Sequence, residues 1–119
     1  MYLFNNQVGD RGAKEIGQAL KVNRALTLLG LGTNKITDEG AAAIAEGLIG
    51  SGLTTLSLSG NNIGDRGAEA IGKALLNDGN RLTKLHMNDN NLTEVGQKAI
   101  RDGWGNRSVV TCAQQNLKL

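Results

Sequence analysis

Leu53-Thr54-Thr55-Leu56-Ser57-Leu58-Ser59-Gly60-Asn61-Asn62-Ile63 is the stretch whose reading decides the fold. Leu56 and Leu58 lie two apart, so both side chains leave the same face of a short extended strand. The stretch recurs as Leu26-Thr27-Leu28-Leu29-Gly30-Leu31-Gly32-Thr33-Asn34-Lys35-Ile36. It recurs again as Leu82-Thr83-Lys84-Leu85-His86-Met87-Asn88-Asp89-Asn90-Asn91-Leu92. A truncated copy opens the chain, with Met1, Leu3, Asn6 and Val8 in the matching places. From Val8 to Ile36, Ile63 and Leu92 the steps are 28, 27 and 29 residues, a period too regular for chance.

Each copy continues into a second block: Asp10 to Leu20, Asp38 to Leu48, Asp65 to Leu75 and Glu94 to Trp104. Ala68, Ile71, Gly72 and Leu75 follow the i, i+3, i+4, i+7 spacing of one helix face. The unit is therefore one strand and one helix. Neither can bury its apolar side alone, so the copies must stack, with the strands in a parallel sheet and the helices over its other side. Gly12, Gly40, Gly67 and Gly96 stand where the helices begin. There a missing side chain is expected to let helix and sheet approach, at about 1 kcal/mol in helix propensity. The acidic residue two places earlier suits the positive end of the helix dipole. Asn6, Asn34, Asn61 and Asn90 end each strand. Asn tolerates left-handed backbone, and its amide can satisfy turn groups that lose their ladder partners, so these four form a structural ladder.

The core must be aliphatic, because hydrophobic residues make up 39% of the chain and aromatics only 3%. Gly occurs 17 times and Pro never, which marks Gly as a recurring structural element and not as a sign of disorder. The net charge is +2 with both signs interspersed, so neither a nucleic-acid arm nor an acidic tail is indicated. The opening residues lack the basic and apolar regions of a signal peptide, and no apolar run approaches the roughly 18 residues of a membrane span. The single Cys112 leaves no internal disulfide framework and points to a reducing compartment. The expectation is a cytoplasmic protein with no membrane and no nucleic-acid partner.

The pattern Leu-x-x-Leu-x-Leu-x-x-Asn-x-Ile-x-Asp-x-Gly-Ala-x-x-Ile, across about residues 1 to 104, resembles the ribonuclease-inhibitor-like class of leucine-rich repeats. The resemblance implies an α/β fold: a right-handed leucine-rich repeat solenoid, or horseshoe, with a parallel β-sheet on the concave face and α-helices on the convex face. Ribonuclease inhibitors, the repeat regions of NOD-like receptors and Ran GTPase-activating proteins carry similar repeats. Bacterial proteins, some of them delivered into host cells, do so too. This chain has one Cys where ribonuclease inhibitors are Cys-rich, and it ends Gln114-Gln115-Asn116-Leu117-Lys118-Leu119 without the acidic tail of a Ran activator. A single domain, 1–119, is expected, with repeats at roughly 1–25, 26–52, 53–81 and 82–108 and a closing strand or cap at 109–119.

The two ends differ. The first helix has full repeat character, yet nothing precedes its strand, and terminal repeats normally need a polar cap. In the fourth helix Gln97 replaces the Ala at 13, 41 and 68, Arg101 replaces a small residue, and Trp104 replaces Leu, changes that suit an outermost copy. The expectation is a native carboxyl end and an amino end cut from a longer array, whose uncapped edge invites self-association. After Trp104 two registers remain, one placing Val109 and Cys112 in the strand and the other Val110 and Cys112.

Strand residues that alternate with the leucines face the concave surface. They are Tyr2 and Phe4; Leu28, Gly30 and Gly32; Thr55, Ser57 and Ser59; and Lys84, His86 and Asn88. Hot spots favour aromatics, which singles out Tyr2 and Phe4 as partner contacts, or as residues packed on a missing repeat. His86 is the only histidine, and a metal site needs several ligands, so it reads as a solvated polar residue. Cys112 falls on an inward position in both registers while His86 points outward, which argues against a nucleophilic pair. Gly9-Asp10-Arg11-Gly12 and Gly64-Asp65-Arg66-Gly67 lack the Lys-Ser/Thr of a phosphate loop. No catalytic residue, metal or cofactor is expected. The function expected is a protein-protein interaction module of an intracellular receptor, scaffold or effector. The resemblance to Ran activators supplies the second reading, a GTPase-activating domain, and an array whose neighbours supply the activity is a third.

Overall fold

The computed structural model describes residues 1–3, 7–77 and 79–105. Along them run α1 (Gly9–Val22), β1 (Leu28–Gly30), α2 (Asp38–Leu48), β2 (Thr55–Ser57), α3 (Asp65–Leu76), β3 (Lys84–His86) and α4 (Glu94–Trp104). The strands pair in parallel in the order β1-β2-β3, with Leu28, Thr55 and Lys84 in one row, then Leu29, Leu56 and Leu85, then Gly30, Ser57 and His86. Tyr2 extends the last row by a parallel bridge to Gly30, as the truncated first copy requires. Phe4, Asn6, Val109, Val110 and Cys112 fall outside the described residues, and with them the closing strand.

Period-two leucines and period-3.6 helix residues meet in one core. Leu29, Leu31, Leu56, Leu58 and Leu85 come from the strand segments, and Ile44, Ile71 and Ile100 from the helices; all are fully buried. Each such side chain contributes about 1.5–3 kcal/mol by leaving water. The described helices lie on one side of the sheet, and no described element lies over the other.

The ladder asparagines work between repeats as well as within them. Asn61 Nδ2 donates to the carbonyls of Leu31 and Leu58, and its Oδ1 accepts from the N–H groups of Asn34 and Ile36. Asn34 does the same toward the Leu3 carbonyl and the Val8 N–H, and Asn90 toward the Leu58 carbonyl and the Ile63 N–H. These are the backbone groups left over where each strand stops, and buried groups of that kind need partners.

The helix-start acids sit in the first turns of their own helices, and three of them also act on the next repeat. Asp10 reaches across to the next repeat, where its carboxylate accepts from the Thr37 N–H at 2.7 Å, the Gly40 N–H at 3.0 Å and the Thr37 hydroxyl. Asp65 treats Thr93 and Gly96 alike, and Asp38 accepts from the N–H groups of Gly64 and Gly67. Each aspartate thus satisfies the orphan N–H groups of the following helix. The glycines make room both for that carboxylate and for the apolar side chain that precedes their own helix, Ile36 at Gly40 and Ile63 at Gly67, each 2.7 Å from an added Cβ. A Cβ on Gly40 would stand 2.5 Å from Asp10 Oδ1, and one on Gly67 2.9 Å from Asp38 Oδ1. Among the described residues no aspartate of another repeat reaches Gly12, and its Cβ would meet only Val8.

Helix spacing is uneven. Between α1 and α2, added Cβ atoms on Gly17 and Gly47 would collide with the carbonyls of Ala43 and Gly17. Between α3 and α4, those on Gly72 and Gly103 would collide with the carbonyls of Ala99 and Gly72. Backbones come that close only where side chains are missing. Between α2 and α3, Ala45 and Ala74 face each other instead, and a groove of about 250 Å³ remains. Trp104 is buried within the core, Gln97 is half-buried and Arg101 exposed, so only part of the last helix carries an outward character.

Candidate interaction face

The open face of the sheet is the surface the fold leaves uncovered. Its side chains follow from the strand alternation: the leucines go to the core and the residues between them go out. The central row is Tyr2, Gly30, Ser57 and His86. Three strand spacings of about 4.8 Å make it ~14 Å long. Tyr2 is 67% exposed at one end, and His86 is half-buried at the other. Gly30 contributes no side chain, so a dip separates the tyrosine ring from Ser57.

The row at the amino ends of the strands holds Leu28 and Thr55, both half-buried, and Lys84, exposed. Beyond the central row come Gly32, buried, and Ser59 and Asn88, half-buried. Ser59 Oγ donates to Asn88 Oδ1 at 2.7 Å, and Asn88 Nδ2 donates to Asp89 Oδ2 at 3.2 Å. The first of these contacts ties the far row across two repeats. Among the described strand positions that face outward, Lys84 is the only charged side chain.

Tyr2, Leu28, Thr55, Ser57, Ser59, Lys84, His86 and Asn88 all fall on this one face. Phe4 lies outside the described residues, and so does Cys112, the other member of the Cys–His pair. Among the described residues no three His, Cys, Asp or Glu side chains gather in a way that could hold a metal ion. Within the same residues, no helix is long and apolar enough to cross a membrane.

Two groups of residues escaped the sequence reading. The aspartates act on the next helix, which their place at the start of their own helix conceals. Arg24 and Arg81 line one pocket with Gly50, Ser51 and Gly52 on the loops that lead into the strands. The available signal was that each follows an asparagine, Asn23 or Asn80, shortly before Leu26 and Leu82, with one residue more between Arg24 and its leucine.

Burial of one carboxylate opposes its charge, yet hydrogen bonding wins. Burial pushes the Asp10 carboxyl up, but the Thr37 hydroxyl and N–H, the Gly40 N–H and nearby Lys14 hold it below the usual carboxylate range. The Thr93 hydroxyl and N–H, joined by the Gly96 N–H, hold Asp65 low against a smaller effect of burial.

A stack of strand-helix units around one parallel sheet, open on one side, defines an α/β repeat solenoid. The Leucine Rich repeat family matches residues 2–17, 22–45 and 53–72, and the chain belongs to that family. A solved structure of leiomodin-1 actin-binding site 2 (ABS2) is similar, with a TM-score of 0.73 at 24% identity. The match covers 87% of this chain and 61% of that one, so this chain spans under two thirds of its relative's length. At that identity the likeness speaks for the fold. No curated protein matches the chain.

Proposed function

We propose that the protein is a non-catalytic binding module that holds a partner protein on the open face of its sheet. One observation carries the reading: among the described residues no helix lies over the outward face of β1 to β3 and the adjoining Tyr2, while the helices pack on the other side. The face offers an exposed aromatic at one edge, a dip at Gly30, and hydroxyl, imidazole and ammonium groups toward the other. That combination of an anchor with adaptable polar contacts suits protein recognition. Neighbouring parts of a receptor, scaffold or effector would use the bound partner. Actin, which the solved relative binds by its name, is the first partner to try.

Site-specific photo-crosslinking tests the reading. A photoreactive residue at Ser57 is expected to capture a protein partner in the source cell, and the same residue at Glu69 on α3 is not. Equal capture at both positions, or capture at Glu69 alone, would remove the open face as the binding surface. With purified actin, Ser57→Arg should weaken any binding at least tenfold, because a long charged side chain would fill the centre of the face.

A further inference from the structure

The loops that lead into the three strands bring two arginines of different repeats to one small pocket. Arg24 precedes β1, Arg81 precedes β3, and the loop Gly50-Ser51-Gly52 between them precedes β2. The pocket measures about 100 Å³, the size for a single small oxyanion group.

Its walls are preset. Arg24 Nη1 donates to the Gly50 carbonyl at 2.9 Å, which uses one of five guanidinium donors and fixes the plane of the group. Gly52 lies against the Arg24 backbone so closely that a Cβ there would collide with the Arg24 carbonyl. The Gly50 N–H donates to the Gly79 carbonyl at 3.0 Å. Ser51 is buried, its hydroxyl donating to the Leu48 carbonyl at 3.0 Å. Among the described residues no carboxylate lines the pocket. Among the described residues neither arginine has an ion-pair partner, whereas Lys14, Lys21 and Lys98 pair with Glu39, Glu46 and Asp102. Arg81 makes no side-chain hydrogen bond among the described residues, and Asp78 of its own loop lies outside them.

Two arginines lining one concavity are matched by a carboxylate, which accepts two parallel N–H bonds from a guanidinium fork. The first outward row of the sheet, Leu28, Thr55 and Lys84, starts next to this rim, and its charged member is also a cation. We propose that the Arg24–Arg81 pocket takes a carboxylate side chain of the partner protein, so that an acidic segment of the partner crosses the rim and runs onto the Lys84 end of the open face. The proposal rests on the protein-binding reading and specifies the partner's chemistry.

The test uses the full chain, labelled with ¹⁵N, and an acetylated hexaglutamate peptide as probe, with hexaglutamine as its neutral counterpart. Hexaglutamate should shift the Gly50 to Gly52 amides, and hexaglutamine should not. Arg24→Gln with Arg81→Gln should weaken the peptide about tenfold or more and abolish those shifts. Lys98→Gln with Arg101→Gln removes the same charge from α4 and should leave affinity within about twofold, since exposed charges that far away are screened. Arg24→Lys with Arg81→Lys keeps the charge without the fork and should bind between the two. Equal weakening by the α4 pair would reduce the effect to overall charge and overturn the proposal. Displacement by inorganic phosphate at equal concentration would mark a free-anion site and overturn it as well. If Ser57 still captures a partner while the rim shifts are missing, the rim assignment fails alone. If Ser57 captures nothing while the rim binds hexaglutamate as expected, the open-face reading fails and the carboxylate pocket stands without it.

Discussion

Asn61 uses every polar atom of its side chain, and all of its partners are backbone groups. Its amide donates to the Leu31 carbonyl at 3.0 Å and the Leu58 carbonyl at 2.9 Å, while its carbonyl accepts from Asn34 at 2.9 Å and Ile36 at 3.0 Å. The residue is 5% exposed, so water cannot replace those bonds freely. A buried donor or acceptor left unsatisfied costs about 1–3 kcal/mol. Asn61→Ala should therefore lower stability by roughly 2–4 kcal/mol, read as the urea midpoint, and Asn61→Asp, which sets a carboxylate oxygen against the Leu31 and Leu58 carbonyls, should lose at least as much at neutral pH. Against a typical total of about 5–15 kcal/mol that loss is a large share of the lower end of the range. That Asn recurs at the strand end was legible in the sequence. That it joins two repeats was not, because residue type at a turn does not say which backbone lies alongside.

Helix spacing is decided where glycine meets backbone. Gly72 sits inside α3, where it costs about 1 kcal/mol against Ala in helix propensity. On propensity alone, Gly72→Ala would stabilise. The added methyl would instead collide with the Ala99 carbonyl of α4, a backbone atom that moves only with its helix. Overpacking of that kind costs about 1–3 kcal/mol, so the net change should be destabilising and visible as a lower melting temperature. A melting temperature raised by Gly72→Ala would show that α4 can retreat. The i, i+3, i+4, i+7 pattern located this helix face correctly. It could not say whether a small residue faced the sheet or another helix, since both are apolar neighbours to the same face.

The molecule as a whole is a stack in which each repeat touches only its neighbours, so each junction carries its own share of stability. Asp10 ties the first junction and Asp65 the third, through N–H groups of the next helix. Both carboxyls are held below their ordinary value, so their contribution is fully present above the unfolded pKa of about 3.9 and is lost as pH falls through the folded one. The melting temperature should fall below about pH 4, and the gap between the native chain and Asp10→Ala should narrow over the same range. A gap that stays constant from about pH 6 to pH 2 would detach Asp10's role from its charge.

Period and residue type were enough to determine the unit of this protein, the direction of its strands and which side chains form the open face. Those features follow from alternation and helical spacing within one repeat, and they leave Tyr2, Ser57, Lys84 and His86 on a common surface. Only the tertiary structure decided what passes between repeats: asparagines that finish the preceding turn, aspartates that cap the following helix, and two arginines drawn to one pocket. Such contacts join residues some 25 to 57 positions apart, where the pairing depends on how closely one copy sits on the next. That distance is set by glycine against backbone, a matter of three-dimensional packing that no single repeat contains.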